Sequence, residues 1–115
     1  SRGKPSPREG RRAQAAGEPL TRKNSKALAA AFSGGHDKEW FTTRWGAAEG
    51  LKGEQARAFA DRIIGERVAF ALESVTAENL EEIAGHIAED PRLGGFANKE
   101  MLTKYVILSI LERIK

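Results

Sequence analysis

The sequence predicts an all-α fold: a compact bundle of four or five helices preceded by a disordered basic N-terminal tail. Three observations predict it. Apolar residues recur at three- and four-residue steps in successive stretches from Leu28 to Ile114. No hairpin dipeptide such as Asn-Gly or Asp-Gly occurs, so no strand pair is signalled. The first twenty residues hold three of the four prolines and no large apolar group before Leu20. Such a stretch cannot bury enough surface to offset the entropy of ordering. The chain therefore divides near residue 21, with a tail over 1–20 and a helical domain over 21–115.

The first helix is predicted over 22–33, with Leu28, Ala29 and Phe32 on one side. Gly34-Gly35 stops it, because glycine tolerates the left-handed cap position. Asp37 is the expected N-cap of a second helix, with Glu39 in its first turn. That helix is expected to run to Glu49 and to carry an aromatic face of Trp40, Phe41 and Trp45. Gly46 weakens it by about 1 kcal/mol relative to alanine.

The third helix is the clearest, over 53–74. Phe59, Ala60, Ile63, Ile64, Val68, Ala71 and Leu72 form a broad apolar surface, and Phe70 falls outside it. The fourth is expected to start at Thr76, to bury Leu80, Ile83, Ala84 and Ile87, and to stop before Pro91. The fifth is expected to start after Asn98 as N-cap and to run to the C-terminus. Its segment Tyr105–Leu111 reads equally as a buried strand, but the periodic stretch is too long for one. Short connections favour antiparallel neighbours. The sequence shows no internal repeat of a length that would signal a repeat architecture.

Composition excludes several classes. At 115 residues and 40% hydrophobic, the chain is one small domain with a core. Cysteine is absent, which removes disulfides, thiolate metal sites and cysteine nucleophiles. His36 and His86 are far apart, so no zinc site is expected, and no cofactor. No apolar run approaches a membrane span. The lack of cysteine fits a reducing compartment, hence a cytoplasmic location. Export through a narrow channel as part of a larger protein stays open.

The formal net charge of +3 is unevenly placed. Residues 1–26 carry eight basic and two acidic side chains, and the remainder carries eleven and fourteen. A basic folded face, the usual footprint of a nucleic-acid-binding domain, is not indicated. Arg8, Arg11 and Arg12 of the tail are the expected electrostatic contacts to phosphates or to a partner protein.

Motifs for catalysis are weak. Glu81-Glu82 and Glu89-Asp90 read as solvated surface acids rather than as a carboxylate pair. Gly34-Gly35-His36 lacks the strand before it and the Lys-Ser/Thr pair after it that a P-loop requires. His86 reads as a boundary residue. The stretch Leu80–Ala84 and the following helix are loosely like a helix-turn-helix, but the connection is too long and the second helix too apolar to read bases. Trp45–Glu49 has the spacing Trp-x-x-x-Glu, which resembles a motif of bacterial effectors that activate host GTPases. The reading adopted here is Trp45 in the core and Glu49 on the surface.

Three large rings within six residues exceed the needs of one short helix face. Trp40, Phe41 and Trp45 are therefore the expected partner contacts. The expected function is a non-catalytic docking module of a larger, bacterial protein, binding another protein through a helix face with aromatic anchors. The alternative is a nucleic-acid-associated domain that uses the basic arm.

Overall fold

The structure is a computed structural model and describes residues 18–114. The expectation of a disordered tail, with Arg8, Arg11 and Arg12, lies outside the described residues. The elements are α1 (Arg22–Ser33), α2 (Lys38–Thr42), α3 (Gly53–Ala71), α4 (Leu80–Ala88), a 3-10 turn (Pro91–Leu93) and α5 (Lys99–Leu111). Among the described residues there is no strand, only two isolated bridges, Pro19 with Thr76 and Ala47 with Phe96. The all-α helical bundle is what the sequence predicts.

Helix α5 is the axis of the fold. From Tyr105 onward its side chains are apolar all round but for Ser109, which a helix sustains only when it is surrounded. Leu102, Tyr105, Val106, Ile107, Ile110 and Leu111 are buried, and α1, α2, α3 and α4 all pack on it. The strand alternative for Tyr105–Leu111 is thereby settled as helix. Helix α3 contributes Ala60, Ile63, Ile64 and Val68, and α4 contributes Leu80, Ala84, Ile87 and Ala88. Each fully buried Leu or Ile is worth about 1.5–3 kcal/mol relative to exposure. Phe70 stays outside this core, with 85% of its surface exposed.

Local signals set most helix ends. Gly34 closes α1 at φ 63°, and its N–H donates to the Ala30 carbonyl. Asp37 caps α2 by accepting from the Trp40 N–H, and Asn98 caps α5 by accepting from the Met101 N–H. Each side-chain cap satisfies a donor that the helix itself leaves unpaired.

Four helices depart from the sequence reading: α3 ends at Ala71 rather than at residue 74, α5 at Leu111 rather than at the C-terminus, and α2 and α4 differ more. Helix α2 ends at Thr42, not Glu49. Past Thr43 the backbone pairs elsewhere: Asn98 N–H donates to the Trp45 carbonyl at 3.1 Å and Ala97 N–H to the Gly46 carbonyl at 2.9 Å. Gly46 takes φ 65°, which turns the chain so that Trp45 enters the core. Helix α4 starts at Leu80 rather than Thr76, because Thr76 and Asn79 close a capping turn of their own.

That turn recurs before α1. Asn24 Oδ1 accepts from Thr21 N–H at 2.6 Å, Thr21 Oγ1 from Asn24 N–H at 3.2 Å, and Asn24 Nδ2 donates to the Pro19 carbonyl. Asn79 makes the same three bonds with Thr76 and Ser74. The residues align as Glu18-Pro-Leu-Thr-Arg-Lys-Asn24 and Glu73-Ser-Val-Thr-Ala-Glu-Asn79. The repeated lead-in escaped the sequence reading because it spans only seven residues. The two copies lie together: Ala77 N–H donates to the Glu18 carbonyl, and Glu18 N–H to Glu78 Oε1. Glu18–Leu20, placed in the tail by composition, are thus engaged with the fold, and Leu20 packs on the core.

Candidate functional site

The three expected aromatic contacts do not share one exposed surface. Phe41 and Trp45 are buried, at 2% and 3% exposure. Trp45 packs edge-on against Phe96 at 4.7 Å and tilted on Tyr105 at 4.9 Å. Its expected helix stops short of it, and the turn at Gly46 points the indole inward. Phe41 sits on the inner side of α2, edge-on to Trp40 at 5.0 Å. Neither ring is available to a partner in this fold.

Trp40 is half-buried and held by two exposed neighbours. The His36 ring stacks on it at 3.7 Å with 9° between planes, and the Arg44 guanidinium lies 3.8 Å from its ring centre. Two groups at those distances cannot share one face of the indole, so Trp40 is clamped from both sides. Arg44 is held there because its Nη1 also donates to the Trp40 carbonyl and to Thr43 Oγ1. His36 precedes the N-cap of α2 and Arg44 follows its last turn, so the two reach Trp40 from opposite ends of the short helix.

His36 is also one wall of a depression on the surface. This groove, of about 760 Å³, runs between α1 and the end of α5, with residues 35–39 closing one end. Its size is within the range of ordinary ligand sites. The apolar floor is Ala29 and Ala30 from α1 with Leu108, Leu111 and Ile114 from the α5 end. Lys38 stands in the wall, bonded to Glu112 Oε1 at 2.9 Å, with its ammonium 4.6 Å from the Tyr105 ring centre.

The charges of the groove are sorted by position. Arg22 and Lys26 line it near the start of α1, while Asp37 and Glu39 line it beyond the end of α1. All four are exposed, and none has an ion-pair partner among the described residues. One carboxylate oxygen of Asp37 is committed to the α2 cap.

Beneath the Lys38 wall, the Tyr105 hydroxyl donates to Asp61 Oδ1, and Arg57 Nε lies 3.8 Å from Asp61 Oδ2. Burial pushes the Tyr105 phenol above its usual range, and the Asp61 carboxylate reinforces the shift. A phenol held protonated in this way is a hydrogen-bond donor and a structural tie between α5 and α3. Asp90 is likewise structural. It is buried at 6% exposure, and its two oxygens accept four bonds from Arg67 and Arg92. The expectation that Glu89-Asp90 are both solvated holds only for Glu89, because Asp90 faces α3.

The other residues weighed from the sequence are dispersed. Glu81, Glu82 and His86 are exposed on α4, and Glu49 is exposed after Ala48. Among the described residues, no three His, Asp or Glu side chains come together as metal ligands, and no helix is long and apolar enough to cross a membrane.

The groove residues Arg22, Lys26, Leu108, Leu111 and Ile114 were not singled out from the sequence. The available signal was the small side chains Ser25, Ala29 and Ser33 at four-residue spacing on α1. They leave a shallow helix face, but whether a neighbour fills it is a tertiary matter. No protein-family model, no curated protein and no solved structure matches the chain.

Proposed function

We propose that this chain is a non-catalytic docking module, a part of a larger protein, that receives a partner protein in the groove between α1 and α5. The observation that carries the reading is the groove itself: about 760 Å³, with an apolar floor and, at its ends, charges without ion-pair partners among the described residues. Helix α1 packs on α5, and the two offer a third helix the cradle that bundle helices normally fill. The aromatic contribution is indirect. Trp40 fixes the His36 ring at the rim, and Phe41 and Trp45 hold α2 in place from below.

The test is capture of a partner from lysate by the full chain and by two variants. Ala30→Trp fills the groove floor, and Ala58→Trp places the same ring on an exposed position of α3. Loss of the captured protein with Ala30→Trp but not Ala58→Trp supports the reading. Equal capture by both overturns it. The alternative, nucleic-acid association through Arg8, Arg11 and Arg12, concerns residues outside those described. Capture that disappears with nuclease or high salt would favour it.

A further inference from the structure

We infer that the groove takes an amphipathic helix that is acidic at one end and basic at the other. The inference rests on the docking reading and names the chemistry of its occupant. Three features point to it.

The first is the shape of the floor. Ala29 and Ala30 present only methyl groups, so an incoming backbone can approach α1 closely. Leu108, Leu111 and Ile114 form the opposite slope. Side chains at i, i+3 or i+4, and i+7 of an occupying helix would lie along this valley.

The second is its length. From Arg22 and Lys26 to the end of α1 at Ser33, the helix advances about 1.5 Å per residue. The charged ends are therefore separated by about three turns of helix. A helix of about fourteen residues spans them, whereas an extended peptide of that length would overrun both.

The third is the sorting of charge. Arg22 and Lys26 at one end and Asp37 and Glu39 at the other have no ion-pair partners among the described residues. Lys38 and Glu112, which also line the groove, already neutralise each other. An occupant with mixed charge along its length leaves like charges opposed at both ends. One with acids beside Arg22 and Lys26 and bases beside Asp37 and Glu39 meets opposite charge at both ends, and Arg57, which also lines the groove, is paired with Asp61.

The experiment uses the full chain and labelled synthetic peptides of about fourteen residues, read by fluorescence anisotropy. One peptide carries two Glu in its first turn and two Lys in its last. A second has the same composition with the charges interleaved, and a third is basic at both ends. The first is expected to bind about tenfold more tightly than the second at low salt, the gap closing at high salt.

Arg22→Glu with Lys26→Glu should lose that preference and favour the peptide that is basic at both ends. Arg22→Gln with Lys26→Gln should abolish the preference without reversing it. Both positions are exposed, and glutamate suits the first turn of a helix, so folding is retained. Circular dichroism checks it.

Equal binding of the first two peptides assigns the groove to a purely apolar occupant and overturns the inference. Absence of binding by every peptide overturns it too. If Ala30→Trp still loses the partner captured from lysate, the docking reading survives that failure. If Ala30→Trp captures normally, the docking reading fails whatever the peptides do.

Discussion

Arg67 Nη1 donates to Asp90 Oδ2 at 2.9 Å, so the longest helix closes directly on the turn that ends α4. Arg92 completes the grip, its Nε and backbone N–H on Oδ1 and its Nη2 on Oδ2. The hydrogen bonds from Arg92 are the main reason the Asp90 carboxyl is held well below the usual carboxylate range, with Arg67 adding to the shift. Asp90→Asn keeps the shape but loses the charge. Both arginines are partly exposed and recover water, so the cost is about 2 kcal/mol, below the roughly 3–5 kcal/mol of a fully buried pair broken on one side.

This arrangement also sets a pH dependence. The folded-state pKa is lower than the unfolded one, so the stabilisation is fully present above the unfolded value. It is lost as pH falls below about 4 toward the folded value. Thermal unfolding of the wild type should show this decline between neutral and strongly acidic pH, with a shallower slope for Asp90→Asn. Parallel slopes would show that Asp90 does not contribute.

Trp45 and Trp40 should separate cleanly on substitution. Trp45→Ala empties a site between Phe96 and Tyr105 and should cost about 3–5 kcal/mol, enough to threaten folding. Trp40→Ala removes the clamp with His36 and Arg44 and the edge contact with Phe41, and about 1–2 kcal/mol is expected. Urea unfolding measures both. Where Trp45→Ala does not fold, Trp45→Phe reports the same ranking.

The repeated capping turns predict a graded pair. Asn79→Ala and Asn24→Ala each remove the two hydrogen bonds of the amide side chain and should cost about 1–2 kcal/mol. Asn79 sits in the more buried turn and should cost more. The Pro19–Thr76 bridge joins the two turns, so the double variant should depart from additivity. A double-mutant cycle in urea tests this.

Ser25→Ala should stabilise the protein. The Ser25 hydroxyl is buried without a hydrogen-bond partner in the described structure. In the aligned second lead-in the same position is Leu80, a core residue. Removing the hydroxyl and adding alanine's helix propensity should gain about 1 kcal/mol, or about 4–8 °C in Tm. An unchanged or lower Tm would mean that the hydroxyl is satisfied in solution.

The sequence by itself determined the helical class, the span of α1, the caps Asp37 and Asn98, and the choice of helix over strand for Tyr105–Leu111. Each rests on chemistry within one turn or on the period of one segment: a glycine that accepts φ 63°, a carboxylate within reach of the N–H three residues on, an apolar run with no polar side. Tertiary structure alone decided where α2 stops, that Asp90 is buried, and that α1 and α5 leave a groove with sorted charges. The carbonyls of Trp45 and Gly46 find donors in Asn98 and Ala97, some fifty residues away. Asp90 finds its guanidinium on another helix. Local periodicity carries no information about which distant donor will arrive, so these features follow only from the packing of the finished bundle.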